Sequence, residues 1–337
     1  MLLTSDLTVH SLPIMSWQRR HPSEIPRDQW LGWLAQSPGV SPYLLPEWGL
    51  FWESVWPGSR AELWSRTGAN GQITMAIPLV RRKRFGCEFC HAQPYGTPAL
   101  LCPSGGDTEA GRELLDRTLG PRVVELAATP DWTGGRGPGW HHSTLTQRSW
   151  IIDLSHAEGA ALESLFSGSH RRNIAKGREL SLRITSPANE FEVGRLPDTW
   201  SDWSRPQRFI LKRHYASTLF RLFAPTGALC WRVAWVGDHP VSAVVFLIHG
   251  GVAVSLDTIV DREPKYRGAG HVLLADTLTH LRNEGVRTVD LGGVPGGAGN
   301  EGLQEFKSGW GATPRESMTG VHRRAWYHAT RRLLGRR

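Results

Sequence analysis

The sequence predicts an α/β protein of two tandem domains, each a mixed, twisted sheet flanked by helices. Three observations carry that prediction. Strand-like runs alternate with helical periodicity along the whole chain. The plan halts at a glycine-rich break, Thr133 to Gly139, and then starts again. A length of 337 residues is enough for two well-buried cores.

The elements follow in order. Pro22 to Trp52 reads as helical: Trp30, Trp33 and Leu34 fall at helical spacing, and Ser37-Pro38-Gly39 ends the run. A second short helix starts after Pro46 and carries Trp48, Phe51 and Trp52. Ala61 to Ser65 and Ile73 to Val80 are strands about the hairpin turn Gly68-Ala-Asn-Gly71, and the second ends in Arg81-Arg-Lys-Arg84. Pro94-Tyr95-Gly96-Thr97-Pro98 is a turn, Glu109 to Leu119 a helix and Val123 to Ala127 a strand. Past the break, Trp150 to Leu154 is a strand. Helical stretches cover Glu158 to Phe166 and His170 to Leu180, and Leu182 to Thr185 is a strand. Two helices fit between Pro197 and Phe223. Leu229 to Val236 and Val241 to Ile248 flank the turn Gly237-Asp-His-Pro240; the second strand is apolar on both faces and belongs inside a sheet. Val252 to Ile259 is the next strand. Leu274, Leu278 and Leu281 mark a helix that Gly285 ends, and Thr288 to Leu291 is a strand. The tail after Thr319 reads as a last helix. The predicted first domain takes residues 1–146 plus 318–337, and the second takes 147–317.

Composition bounds the function. No apolar run is long enough to span a membrane, and Met1-Leu-Leu-Thr-Ser-Asp6 lacks the basic start and apolar core of a secretory signal. Four cysteines form no disulfide framework in a chain of this length, so the expected location is the reducing cytoplasm. The net charge of +8, carried mostly by arginine, suits a polyanionic partner such as RNA or a nucleotide-linked substrate, or else reflects a high-GC genome. Cys87-Glu-Phe-Cys90-His91 has no second Cys or His pair at zinc spacing, so no metal is expected.

The stretch Asp290 to Gly311 carries the chemistry. A strand ends, a glycine-rich loop follows, and a short helix from Glu301 delivers Phe306 and Lys307. A cation fixed past a strand's carboxyl end suits a reaction in which an oxygen becomes negative. A solvated lysine on a surface loop is the plain alternative.

Gly292-Gly293, Gly302-Leu303, Phe306-Lys307 and Trp310-Gly311, in this order, resemble the closing motif of the Fem family. Those are non-ribosomal aminoacyl (peptidyl) transferases that take an amino acid from aminoacyl-tRNA. They are built from two domains of the GNAT acyltransferase type. Ser37-Pro-Gly-Val-Ser41 and Pro46-Glu-Trp48 are similar to the family's opening motif, and Pro94-Tyr-Gly96 to its middle turn. His170-Arg-Arg-Asn-Ile-Ala-Lys176-Gly is similar to its arginine-rich helix, and Arg213-His-Tyr215 to the Arg and Tyr before its central strands. The resemblance covers most of the chain. It implies that Lys307 stabilises the tetrahedral oxyanion, that Phe306 packs beside the donor and that Arg213 and Tyr215 line the acceptor channel. Trp48, Tyr95 and Asp257 are further substrate-side candidates. The base that takes the amine proton stays open among Asp257, Glu305 and a water. Arg171, Arg172 and Lys176, with Arg331 and Arg332 in the tail, are the candidates for holding tRNA; Arg81 to Arg84 is a third basic cluster. The implied partners are aminoacyl-tRNA and a peptide or peptidyl-nucleoside acceptor, with no cofactor and a monomeric chain.

One departure bears on the acceptor. Family members that act on cell-wall precursors carry a lysine just after the opening tryptophan, but here Gly49-Leu-Phe51-Trp52 follows Trp48. That turns the expectation from a peptidoglycan precursor toward a peptide-antibiotic intermediate, as in the pacidamycin-type alanyl-tRNA-dependent branch. The competing class is an acyl-CoA-dependent GNAT N-acyltransferase. Tyr266-Arg267-Gly-Ala-Gly270-His-Val272 stands where such enzymes cradle the CoA pyrophosphate on backbone N–H groups, although Val272 replaces the small residue expected there. A non-enzymatic RNA-binding module is the third class, and neither an aromatic platform nor a recognition helix supports it.

Overall fold

The computed structural model describes residues 17–37, 41–68, 72–92, 122–128, 139–155, 162–199, 213–294 and 300–333. Their strands are β1 (Trp17–Arg20), β2 (Ser59–Thr67), β3 (Ile73–Arg84), β4 (Cys87–His91), β5 (Val123–Ala128), β6 (Trp140–Asp153) and β7 (Arg183–Thr185), followed by β8 (Leu229–Val236), β9 (His239–His249), β10 (Val252–Val260), β11 (Thr288–Gly293) and β12 (Thr313–Arg324). Their helices are α1 (Arg27–Ala35), α2 (Pro46–Val55), α3 (Gly168–Arg178), α4 (Glu190–Thr199), α5 (Arg213–Phe223), α6 (Ala269–Asn283), α7 (Glu301–Ser308) and α8 (Ala325–Leu333). The strands hydrogen-bond in the order β1-β2-β3-β4-β5-β12-β6-β11-β10-β9-β8-β7.

The middle of that order is a two-stranded ribbon. β6 and β12 pair antiparallel from Ile151↔Thr313 to Trp140↔Arg324. β5 reaches β12 only at residues 320–323, and β11 reaches β6 only at 149–153. Between those ends the ribbon is largely exposed, with Leu145 and Met318 facing water. The rung Gln147↔Ser317, where the sequence placed the domain boundary, lies in this stretch.

Packing joins the two halves beside the ribbon. One core cluster joins Trp30, Leu34, Trp48, Phe51 and Trp52 of α1 and α2 to Leu219 and Phe223 of α5 and to Trp231, Val245 and Ile259 of β8–β10. Trp48 stacks on Phe51 at 5.4 Å and meets Trp52 edge-on. The indole N–H of Trp30 donates to the Leu44 carbonyl at 2.9 Å, so its burial strands no donor. A second cluster fills the opposite face of the second half, and β9 separates the two. Ala243, Val245 and Leu247 face the first, while Val244 and Phe246 face the second. That is why the run is apolar on both faces, with only Ser242 polar and its hydroxyl donating to the Ile259 carbonyl.

Several expectations need correcting. Thr319 to Arg324 is strand, and the last helix begins only at Ala325, because β6 and β5 supply this segment with ladder partners. β6 starts at Trp140, ten residues before the predicted Trp150; its first part is exposed and polar and shows no apolar period. Cys87 to His91 is β4, and burial pushes the Cys90 thiol up to about 12. Within 158–166 the described helical part is one tight turn, Leu162–Leu165. Between Pro197 and Phe223 the described helix is Arg213–Phe223, and a further helix, Glu190–Thr199, begins earlier than expected; residues 200–212 lie outside the described residues. Turn residues 69–71, the 94–98 turn, the 109–119 helix and most of the 133–139 break lie outside the described residues. Among the described residues, no helix is long and apolar enough to cross a membrane.

If the aromatic cluster is what couples the halves, Trp48→Ala should cost about 3–5 kcal/mol. The measurement is the urea midpoint followed by fluorescence, with one transition expected to move as a whole. A loss below about 1 kcal/mol would mean that the cluster is not the joint.

Candidate active site

The site forms where two parallel strands part. β10 and β11 pair at Val252↔Thr288, Ala253↔Val289 and Val254↔Asp290, and no further. Beyond that rung β10 bulges between Ser255 and Asp257 and stays with β9. β11 bulges between Asp290 and Gly293 and stays with β6. The cleft so opened lies at the carboxyl ends of both strands, where open α/β sheets bind ligands.

Lys307 fills that opening from the last turn of α7 and is 7% exposed. Its Nζ donates to the Gly292 carbonyl at 2.7 Å and to the Gly293 carbonyl at 3.0 Å. Gly292 has φ +79, a conformation that side-chain-bearing residues rarely take. A Cβ there would stand 3.8 Å from the Ser255 carbonyl and 3.9 Å from Nζ, so the ammonium sits between the parted strands. Asp290 Oδ1 accepts the Gly292 N–H at 2.7 Å and fixes this turn. Burial lowers Lys307 to about 8, and the Asp290 charge works in the opposite direction. Burial also raises Asp290, opposed by the Gly292 N–H, Lys307, Ser149 and Arg315. From the N-terminal half, Tyr43 comes close enough that burial and then the Asp290 charge both push its hydroxyl upward.

A second set of contacts anchors α7. His170 Nε2 donates to the Phe306 carbonyl at 2.9 Å, and Nδ1 lies 3.1 Å from Ser167 Oγ. The Ser167 N–H donates to the Gly309 carbonyl at 2.8 Å. A Cβ on Gly309 would strike the His170 ring at 2.3 Å, so glycine is required there. Phe306, Trp310 and His271 surround the same ring. Burial, then His170 and Arg267, lower His271 to about 4. The first turn of α3 therefore holds the last turn of α7, which carries Lys307.

The other candidates fall into three groups. Trp48 and Tyr215 share the first core, where Tyr215 meets Phe51 and Trp52 edge-on; Trp48 is 1% exposed and packs as a core aromatic. Asp257 is buried on β10, and its Oδ1 accepts the Thr258 N–H at 2.9 Å. Glu305 is exposed on α7. Arg171, Arg172 and Lys176 lie exposed along α3, with the Arg171 guanidinium donating to the Phe166 carbonyl at 2.6 Å. Arg331 sits apart on α8 and pairs with Glu125 at 3.2 Å. Arg81 is no surface cation, being 8% exposed and bound to Glu62 and Glu88. Tyr95 and the side chains of Arg213 and Arg332 lie outside the described residues. Sequence reasoning missed Asp290, His170 and Tyr43 as site residues. An Asp two residues before a loop glycine was the available signal for the first. Nothing local marked the other two.

Residues 166–308 match the profile of the Acetyltransferase (GNAT) domain family. No curated protein matches the chain significantly in sequence. Among solved structures, the chain superposes on FemX at a TM-score of 0.67 and 12% identity, covering 90% of this chain and 96% of that one. A tandem GNAT protein from the clavulanic acid biosynthesis pathway gives 0.55 at 16% identity over 91% and 98%. The C-terminal domain of a putative lysylphosphatidylglycerol synthetase from Agrobacterium fabrum gives 0.56 at 12% identity over 92% and 96%. The chain thus has the tandem GNAT-like acyltransferase fold, shared with FemX, that its motifs predicted.

Lys307 titrates lower when folded than its ordinary value of 10.5, so between about 8 and 10.5 the unfolded chain binds the extra proton. Stability contributed through this group should therefore be lowest below about 8 and rise as pH climbs through that window. Urea unfolding of wild type and Lys307→Met near both ends of the window reads it out. A difference between the two that does not change with pH would contradict the buried ammonium.

Proposed function

We propose that the chain is a non-ribosomal aminoacyltransferase. It moves an amino acid, alanine in our reading, from aminoacyl-tRNA to the free amine of a peptide and forms a peptide bond. The ester donor is already activated, so positioning and one fixed cation supply most of the acceleration and no cofactor enters. Lys307 takes the role of oxyanion stabiliser, with Phe306 beside the donor.

The observation that carries this reading over acyl-CoA is the seat of α3 on the start of α6. A Cβ at Gly268 would stand 2.5 Å from the Asn173 carbonyl, and one at Gly177 would stand 2.4 Å from the Gly268 carbonyl. A pyrophosphate cradle needs open space at this point. The helix that closes the space turns Arg171, Arg172 and Lys176 outward, beside the end of α7, and such an exposed basic track suits the acceptor stem of a tRNA. Acyl-CoA transfer remains the second reading, favoured by the GNAT match of residues 166–308.

The lining of α2 supports a reading of the acceptor. A Cβ at Gly49 would already lie 3.3 Å from the Ala61 Cβ, and Phe51 is fully buried. Neither position offers a cation to nucleotide phosphates. This supports a peptide-antibiotic intermediate ahead of a UDP-linked peptidoglycan precursor. We assign the reaction to the cytoplasm, where charged tRNA is found.

The deciding experiment offers a mixed pool of labelled aminoacyl-tRNAs, with a panel of peptide amines, beside labelled acetyl-CoA. RNase-sensitive, acceptor-dependent transfer from one charged tRNA is expected; transfer from acetyl-CoA alone would refute the reading. In that assay Lys307→Ala should lower kcat about 10²–10³-fold with little change in acceptor KM. An unchanged kcat would remove Lys307 from catalysis. Replacing Arg171, Arg172 and Lys176 by alanine should raise the KM for tRNA. The slope of log affinity against log salt should flatten by about 0.7–0.9 for each phosphate that the variant leaves unneutralised. A slope equal to wild type would place the tRNA elsewhere.

A further inference from the structure

Aminolysis needs a group to take the amine proton, and the sequence left that group open. Three carboxyl groups stand on the elements around Lys307: Asp257 on β10, Asp290 on β11 and Glu305 on α7. Asp257 is 6% exposed, and Glu305 points into solvent on α7. Asp290 differs from both. It is partly exposed, it occupies the last rung before β10 and β11 part, and it neighbours the turn that holds the Lys307 ammonium. The Gly292 N–H at 2.7 Å and a hydrogen bond with Ser149 hold its carboxylate in place. Lys307 from α7 and Arg315 from β12 act on it through space, Tyr43 approaches from the turn Pro42–Leu44, and no described cation forms an ion pair with it.

From this placement we infer that Asp290 is the general base of the transfer, fixed beside the turn that holds the cation that receives the oxyanion. The inference rests on the proposed acyl transfer to an amine and not on the identity of the donor. The neutral amine attacks the ester carbonyl and the C–N bond forms. The carbonyl pair moves onto the oxygen beside Lys307, and Asp290 takes the N–H proton. The ester C–O bond then breaks, and the departing oxygen takes that proton back, which leaves an amide, a free hydroxyl and Asp290 ionised as before. Burial raises Asp290 above the ordinary carboxyl value of 3.8, toward the range in which a carboxylate accepts protons well. The base is active above its own titration and the Lys307 cation below about 8, so kcat should describe a bell.

The test is Asp290→Asn, because the Asn side chain keeps an oxygen for the Gly292 N–H while losing the charge and the proton acceptor. Transfer to a peptide amine is measured beside transfer to hydroxylamine, which is neutral at pH 7 and attacks activated esters unaided. With the peptide amine, kcat should fall about 10²–10⁴-fold at nearly constant KM, and the acid limb of the pH profile should disappear. Hydroxylamine should restore the variant to within about tenfold of wild type. A peptide-amine kcat within about threefold of wild type, or an equal loss with hydroxylamine, would overturn the assignment. Wild-type activity with acetyl-CoA only would refute the tRNA reading, and the same two acceptors would then decide on Asp290 with that donor. Transfer from neither donor would overturn both.

Discussion

A lysine ammonium kept out of water sets the terms for its surroundings. An isolated buried charge is costly, so acceptors must come to it. Here they are the carbonyls of two consecutive residues, and turning both toward one nitrogen requires the left-handed kink at Gly292. The kink is fastened by Asp290 on one side. The helix end that carries the lysine is fastened by His170 and the Ser167 N–H on the other. That fastening brings α3 down onto α6, where Gly177 and Gly268 meet with no room for a methyl group. Glycines at 177, 268, 292 and 309 look like separate features in the sequence. In the fold they are consequences of holding one cation at the mouth of two parallel strands.

The N-terminal half contributes to the same point by packing. The β6–β12 ribbon links the halves with an exposed middle. Orientation comes from the tryptophans of α1 and α2, which bury large apolar areas against α5 and the β8–β10 face. The turn Pro42–Leu44 belongs to that packed unit, and it brings the Tyr43 hydroxyl within electrostatic reach of Asp290. A loosened aromatic core would therefore be felt at the site through Tyr43 before it was felt in the Lys307 loop, which the second half holds alone.

What the sequence made legible divides along physical lines. Strands with one or two apolar faces, such as Val241 to Ile248, and helices with a leucine stripe, such as the one ending at Gly285, carry their period openly, and both are found where expected. Trp140 to Ser149 carries no such period, because β6 buries none of its described side chains there, and its strand is dictated by ladder partners far away in the chain. The Lys307 loop was legible because glycine punctuation and a helix start adjoin in the sequence. Asp290, His170 and Tyr43 were not, since each gains its role from a residue brought close only by the fold. Arg81 shows the reverse error. Inside a run of four cations it reads as surface, but the pleat turns it inward to Glu62.

The two charged groups of the cleft suggest why burial is compatible with aminolysis. Desolvation pushes Lys307 down and Asp290 up, so their titrations move toward each other, yet neutral pH still lies below about 8 and keeps the lysine mostly protonated. The cleft then holds one cation and one anion and presents little net charge to a neutral amine and a neutral ester. Attack of an amine on an ester creates a zwitterion, negative on the carbonyl oxygen and positive on the nitrogen. A cation beside the first atom and an anion beside the second are the fixed complement of that charge separation. They are worth more in a partly desolvated cleft than in water, and they need no rearrangement as the charges form. A surface lysine would be more fully protonated, but it would act through a higher dielectric. In the proposed transfer, the shift of Lys307 to about 8 would be the cost of placing it where its field acts on the reacting oxygen.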